Sequence, residues 1–119
     1  MKKWKQPKMK HLKWTKWKWL PLYPKNIHIG EHVDIGALTA LFGQNGIIIR
    51  DNVDIGSHCS IYSENTENGT YGPVIIKKGA KIGAHCVIFP NVVIEIGEKI
   101  PAGSIVYVNK NNERVIKRK

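Results

Sequence analysis

The sequence predicts an all-β fold, a parallel β-helix of about four coils that extends from residue 23 to residue 108. Aliphatic residues recur at every sixth position in three runs: Ile29, Ile35 and Leu41; Ile49, Ile55 and Ile61; and Ile76, Ile82, Ile88, Ile94, Ile100 and Val106. Four residues after each, the side chain is mostly small or β-branched, as at Val33, Thr39, Val53, Cys59, Ala80, Cys86, Val92 and Ser104, with Glu98 as an exception. Neither a helix nor a long alternating strand has this period. A period of six residues is typical of short strands separated by corners, with three strands in each coil.

The frame also predicts the stacking and the interruptions of the coils. Equivalent residues are eighteen positions apart and lie about 4.8 Å from each other on neighbouring strands, so we expect Ile76 to lie on Ile94. A short insertion at residues 44–46 predicts a small corner bulge. Nine further residues between Ile61 and Ile76 predict a polar loop, residues 64–73, that leaves the coil. Such excursions commonly carry function.

The chain divides into three parts by charge. Its 119 residues suit one domain, and its formal charge of +10 is concentrated in two tails. Residues 1–25 hold nine lysines and no acid, whereas residues 26–108 hold five basic and eight acidic residues. We therefore expect a Lys/Trp-rich segment (1–22), the β-helix (23–108) and a basic tail (109–119), with no specific nucleic-acid partner.

Several features favour a cytoplasmic protein. Cys59 and Cys86 are too few for a disulfide scaffold and should stack as inward-facing thiols. No apolar run approaches the roughly 18 residues that span a bilayer. Lysines interrupt the apolar N-terminal residues, so that a signal peptide is not predicted.

Three histidines fall at one position of the repeat, three residues after an inward aliphatic residue. The residues at this position are His32, Leu38, Asn52, His58, Gly79, His85, Asn91, Gly97 and Gly103. Eight of these nine are Gly, Asn or His, types that tolerate positive φ, which indicates a left-handed corner conformation. His58 and His85 should nevertheless be neighbours on one corner. A metal site would need a third ligand, and no metal is expected.

Four motifs resemble the hexapeptide-repeat acyltransferase superfamily, in particular its sugar, maltose and galactoside acetyltransferase branch. They are IRDNVDIGSHCSIY at residues 49–62, YGP at 71–73, IIKKGAKIGAHCVIFPNVVI at 75–94 and IPAGSIV at 100–106. The resemblance implies left-handed coils, a homotrimer, acetyl-coenzyme A as acyl donor and a small sugar acceptor. It implies that the pantetheine arm runs along small corner residues, Ala84, Ala102 and Gly103. Lys110 and Arg114 are the candidate cations for the nucleotide phosphates.

The catalytic base is where the chain departs from that branch. Many relatives have a Ser-x-Asn-His sequence at the start of the loop, whereas this chain reads SENT at residues 63–66, with Thr66 in the histidine position. The candidate catalytic residues are therefore Glu64, Asn65 and Thr66, with His58 and His85 as alternative bases. An amine that binds neutral needs less help from a base than a hydroxyl does, which favours N-acylation. The loop could instead only fill the groove beside the next subunit.

The predicted function is coenzyme A-dependent acetyl transfer to an amino sugar or nucleotide-linked sugar in surface polysaccharide biosynthesis. One alternative is a non-catalytic trimeric β-helix that assembles with other proteins. A second is a metal-dependent hydratase like the carbonic anhydrases of this fold, although the histidine pair separated by four residues is absent. The N-terminal segment has two interpretations: a cap on the open first coil, or a peripheral membrane contact through lysine and tryptophan.

Overall fold

The protein is a left-handed parallel β-helix of about four coils, described over residues 4–118 by a computed structural model. Its helical structure in that range is one 3-10 turn, Pro24–Asn26. Sheet I contains β1 (Leu20–Leu22), β4 (Ala40–Phe42), β7 (Ser60–Tyr62), β12 (Val87–Ile88) and β15 (Ser104–Val108). Sheet II contains β2 (Ile27–Ile29), β5 (Ile47–Ile49), β10 (Val74–Ile76) and β13 (Val93–Ile94). Sheet III contains β3 (Asp34–Ile35), β6 (Asp54–Ile55), β11 (Lys81–Ile82) and β14 (Lys99–Ile100).

Two further strand pairs are antiparallel. In the predicted loop, β8 (Glu64–Asn65) pairs with β9 (Thr70–Tyr71) as a small hairpin. At the C-terminus, β16 (Arg114–Arg118) returns along β15 and extends sheet I by one strand. The basic tail thus covers the edge of the last strand of sheet I, where unpaired backbone groups would otherwise be exposed.

The six-residue frame is confirmed by the register of the sheets. Ile76 lies beside Ile94 on one side and beside Ile49 on the other, so the nine-residue insertion is absorbed entirely by the loop. The inward positions form one hydrophobic core, in which Leu41, Ile61, Ile76, Ile88, Ile94 and Val106 are completely buried. Ile29 is only partly buried because it belongs to the first coil, which has no coil before it.

The corner prediction is confirmed at all nine positions. Every residue of the series from His32 to Gly103 has a positive φ, between 55° and 76°. Tolerance of this conformation is what Gly, Asn and His share there. The corner conformation is therefore sufficient to explain the presence of His32, His58 and His85.

The N-terminal segment closes the open end of the first coil. Trp19 is 2% exposed and belongs to the core, while Trp4 and Met9 pack against it. The first strand of the solenoid, β1, begins at Leu20 and pairs with β4. Capping thus accounts for two of the four tryptophans. Among the described residues no helix has the length and apolar character needed to cross a bilayer.

Candidate active site

The residues proposed for the pantetheine arm of coenzyme A lie on the corner between sheets III and I. We call this the corner column, and it consists of Ala37 and Leu38, Ser57 and His58, Ala84 and His85, and Ala102 and Gly103 in successive coils. Each positive-φ residue donates its backbone N–H to the coil before, as from His85 to the Ser57 carbonyl at 2.9 Å and from Gly103 to the Ala84 carbonyl at 2.9 Å. The column is therefore a backbone ladder in which small residues, Ala37, Ser57, Ala84 and Ala102, each precede a positive-φ residue.

Glycines let the coils stack tightly behind this column. A Cβ atom on Gly83 would lie 2.5 Å from the Ala102 nitrogen and 2.7 Å from its Cα. A Cβ atom on Gly56 would lie 2.5 Å from the Ala84 nitrogen. Because the obstacles are backbone atoms, no rotamer change relieves the contact. These glycines are needed for close approach of the coils, since neither has a positive φ.

The structure brings the two candidate histidine bases together. The rings of His58 and His85 are stacked with centroids 4.7 Å apart and an interplanar angle of 9°. Both side chains are exposed to solvent. Within residues 4–118, no group of three His, Cys, Asp or Glu side chains is arranged to hold a metal ion.

A corner role predicts how His58 responds to substitution. Asn occupies the equivalent corner at Asn52 and Asn91 with φ of 60° and 69°, so His58→Asn should keep the free energy of unfolding within about 0.5 kcal/mol of wild type. His58→Val, with a β-branched side chain at positive φ, should cost about 1–2 kcal/mol. Chemical denaturation measures both. Equal losses in the two variants would contradict the backbone explanation.

The loop holds the other candidate catalytic residues on a well-anchored base. The buried Ser63 donates its hydroxyl to the Phe42 carbonyl at 2.6 Å and accepts the Asn45 N–H at 2.8 Å. The Gly72 N–H closes the loop on the Ser63 carbonyl at 3.0 Å. Above this base, Glu64 and Asn65 are half-buried in β8, while Thr66 at the tip is exposed.

A cleft beside the loop was not predicted from the sequence. Its volume is about 360 Å³, and it is lined mainly by amide and aromatic side chains, among them Asn65, Asn68, Phe89, Asn91, Tyr107 and Asn109. The amide oxygens of Asn65, Asn68 and Asn109 accept hydrogen bonds within the chain, so their NH₂ groups are the donors that could meet the oxygens of a polyhydroxylated ligand. The cleft could not be predicted from the sequence because its residues come from three distant segments: the loop, a late corner and the C-terminal hairpin.

Within one chain, the loop and the corner column do not meet. They lie at opposite ends of the strands of sheet I, since β7 runs from the His58 corner to Ser63, where the loop begins. Three extended residues span about 10 Å. His58 and His85 therefore form one group, while Glu64, Asn65 and Thr66 form another.

The cations near the last coil occupy three different positions. Lys110 lies exposed in the turn between β15 and β16. The Arg114 guanidinium donates to both carboxylate oxygens of Glu98, at 2.6 and 2.5 Å, and to the Val93 carbonyl at 3.0 Å. Arg118 instead reaches the corner column, where its Nη2 donates to the Ala102 carbonyl at 3.3 Å. The asparagine-rich stretch at residues 109–112 is the sequence signal for a turn. A strand that returned after this turn would have been predicted to place Arg118 opposite Ser104.

The Glu98–Arg114 pair fixes β16 and predicts a pH dependence. The hydrogen bonds from Arg114 lower the pKa of Glu98 below its ordinary value of 4.5, and the same bonds raise the pKa of Arg114. A carboxylate with a lowered folded-state pKa stabilises the protein above its ordinary pKa, and this stabilisation is lost as pH falls through the folded-state pKa.

Glu98→Gln should therefore reduce the free energy of unfolding by about 1 kcal/mol at pH 7, because the pair is bidentate and only partly exposed. The difference from wild type should shrink as the pH falls below about 4.5. Denaturant unfolding at several pH values measures it. Asp54→Asn is the control, since the pair of Asp54 with Lys81 is more exposed and should contribute little. A constant difference across the pH range would contradict this assignment.

The two cysteines are buried free thiols that stack in the core, as the repeat predicts. Each Sγ lies 3.2 Å from a carbonyl oxygen of the next coil, that of Gly83 for Cys59 and that of Pro101 for Cys86. Burial raises the pKa of the Cys59 thiol. The thiolate is disfavoured there, so this residue has the character of a core residue rather than of a nucleophile.

Comparison with known proteins gives an informative structural match. No family model matches the sequence, and no curated protein matches it significantly. Among solved structures, the chain is similar to a hexapeptide-repeat-containing acetyltransferase of Vibrio cholerae O1 biovar eltor, complexed with acetyl coenzyme A. The TM-score is 0.62 with 21% identity over 84% of this chain, which spans 63% of the length of that protein. The likeness establishes the class of fold, a hexapeptide-repeat β-solenoid.

Proposed function

We propose that the protein transfers an acetyl group from acetyl-coenzyme A to the amine of a small sugar, such as an amino sugar or a nucleotide-linked sugar. The observation that carries this proposal is the late part of the corner column, where the small residues Ala84, Ala102 and Gly103 lie in successive coils of a solenoid whose structural neighbour is complexed with acetyl coenzyme A. The proposed setting is surface polysaccharide biosynthesis, where such acceptors are modified.

The corner column suits an extended, amide-bearing ligand. Ala84 and Ala102 allow the pantetheine arm to approach the backbone and exchange hydrogen bonds with it. The Ala102 carbonyl is the last of the column and has only the 3.3 Å contact from Arg118 among the described residues. In this proposal Arg118 turns to the nucleotide phosphates, for which guanidinium is a strong partner. Lys110 is a second cation within the same terminal hairpin.

The asparagine-lined cleft is the proposed acceptor site. Asn65 and Asn68 would contact sugar hydroxyls, while Phe89 and Tyr107 provide faces for the ring. In the reaction, the neutral amine attacks the thioester carbonyl, a C–N bond forms, and the C–S bond breaks. The thiolate of coenzyme A leaves and is protonated, while the proton of the amine passes to water or to Glu67, the carboxylate that lines the cleft. No histidine is needed in the loop for this route.

The site would be assembled from two copies of the chain. The corner column and the loop lie at opposite ends of the strands of sheet I. The corner column of one copy must therefore face the loop of the next copy for donor and acceptor to meet. The outer face of sheet I offers a contact surface, since Phe42 stacks on Tyr62 at 4.5 Å and Tyr62 on Phe89 at 5.6 Å. A homotrimer whose threefold axis runs parallel to the three solenoids satisfies this requirement for all three copies.

Calorimetric titration with acetyl-coenzyme A tests the donor half of the proposal. We expect one site per chain and a loss of affinity of about tenfold in Arg118→Gln, the effect of one charge-assisted hydrogen bond. Lys25→Gln removes the same charge from the exposed surface of the first coil and should leave affinity unchanged. Absence of binding to folded protein would favour the non-catalytic assembly alternative. Transfer to glucosamine compared with glucose then separates N- from O-acylation.

A further inference from the structure

Four large apolar side chains are exposed at the N-terminal end of the solenoid, on and beside the segment that caps the first coil. Leu12 is 54% exposed, Trp14 55%, Trp17 50% and Leu38 50%. Four exposed lysines accompany them: Lys10, Lys13, Lys16 and Lys18. We call these eight residues the N-terminal patch. Exposed aliphatic and indole side chains in one short region usually mark an interaction surface.

The capping role does not explain this exposure. Trp19 and Trp4 already cover the end of the core, and the buried Thr15 lies between the two exposed tryptophans in sequence. Trp14 and Trp17 leave about half of their surface in water, although Trp17 also lines a cavity of about 340 Å³ together with Trp4 and Trp19. The segment thus closes the first coil and also has an outward side, formed by the exposed surfaces of its apolar residues.

The outward side is fixed in position. The Leu12 N–H donates to the Pro21 carbonyl at 2.9 Å, and the Leu38 N–H donates to the Lys18 carbonyl at 2.6 Å. The Thr15 N–H donates to the Trp19 carbonyl at 2.9 Å. The patch is held by turns against the first coil rather than presented on an amphipathic helix, so little ordering entropy remains to be lost on binding.

The charge of the patch selects its partner. No acidic residue occurs before Glu31, whereas nine lysines lie within residues 1–25. One of them, Lys16, has its Nζ 5.7 Å from the centre of the Trp17 ring. Indoles prefer the boundary between water and hydrocarbon, while lysines are attracted by anionic headgroups. Phosphates of a nucleic acid would attract the lysines but would leave Leu12 and Leu38 exposed.

We propose that the N-terminal patch docks this end of the solenoid on an anionic lipid bilayer. Trp14, Trp17 and Leu12 enter the headgroup region, and the surrounding lysines contact anionic headgroups. The solenoid then projects from the membrane, with the late coils farthest from it. The proposal is independent of the acyl-transfer proposal, since Leu38 is the one patch residue in the corner column and lies two coils before Ala84.

Flotation of the full chain with lipid vesicles tests the docking. We expect binding to vesicles of phosphatidylcholine with 30% phosphatidylglycerol, on the order of one third anionic lipid, and at least tenfold weaker binding to pure phosphatidylcholine. Bound protein should show a blue shift of tryptophan emission and quenching by brominated acyl chains. Replacing Lys13 and Lys16 together by Gln should weaken binding on the order of 20-fold, about fivefold per lysine.

Matched variants separate the apolar and the charged parts. Trp14→Ser with Trp17→Ser should abolish quenching by brominated lipid while leaving circular dichroism unchanged, because both side chains are half-exposed. Ile96→Ser and Tyr71→Ser remove side chains that are 74% and 68% exposed elsewhere, and should leave vesicle binding intact. The proposal is overturned if wild-type protein fails to bind anionic vesicles at low salt. It is equally overturned if the double tryptophan variant binds them as tightly, or if duplex DNA competes fully and the tryptophans stay unquenched.

Discussion

Gly83→Asn is expected to prevent stable stacking of the last two coils. The new Cβ would lie 2.5 Å from the Ala102 nitrogen and within 3.0 Å of its Cα and Cβ, so that the corner must open by a large fraction of an ångström. We expect a loss of about 3 kcal/mol in the free energy of unfolding, the upper end of overpacking effects. Since small domains are stable by only about 5–15 kcal/mol, denaturant midpoints should reveal the loss readily.

Gly97→Asn is the matched control for this prediction. It is the same substitution at a glycine whose added Cβ would meet nothing within 4 Å and whose φ is +67°, a conformation that Asn52 and Asn91 adopt in other coils. The expected cost is below about 1 kcal/mol. If both variants lost equal stability, close approach of the coils would not be the reason for Gly83.

Ala84→Tyr is expected to abolish binding of acetyl-coenzyme A. The side chain of Ala84 is partly exposed on the corner column, so a phenol ring there would cover the path of the pantetheine arm without entering the core. We expect at least a 100-fold loss of affinity by calorimetry, about 3 kcal/mol, with little change in the unfolding midpoint.

Ala37→Tyr provides the comparison, because it places the same side chain on the same corner column in the first coil. Ala37 is exposed and lies two coils before the proposed donor site, so binding should persist. Loss of binding in both variants would indicate that the ligand uses the whole column. Persistence of binding in Ala84→Tyr would exclude the column as the donor site.

The solenoid core could be predicted from the sequence because each position in the repeat has one physical requirement. Ile76 and Ile94 must be apolar to stack in the interior, and His58 or Gly103 must tolerate positive φ at a corner. These requirements are local and recur in every coil, so that a single chain carries several independent instances of them. The register of Ile76 beside Ile94 and the corner conformations were therefore recoverable without coordinates.

The parts outside the repeat were less predictable because they occur once. The sequence did not show that Trp19 enters the core while Trp17 remains exposed, since both are tryptophans between lysines. It also did not reveal that β16 returns along β15, which places Arg118 at the corner column and Arg114 on Glu98. The asparagine-lined cleft depends on that same return. Such features are set by tertiary contacts between distant segments rather than by periodicity.

A crystal structure of the protein with acetyl-coenzyme A tests the account most directly. We predict that the pantetheine arm lies along Ala84 and Ala102 of one copy, with the phosphates near Arg118. The thioester should face the loop, residues 64–73, of a neighbouring copy. A donor bound away from the corner column, or a thioester whose surroundings come from a single chain, would contradict the composite site.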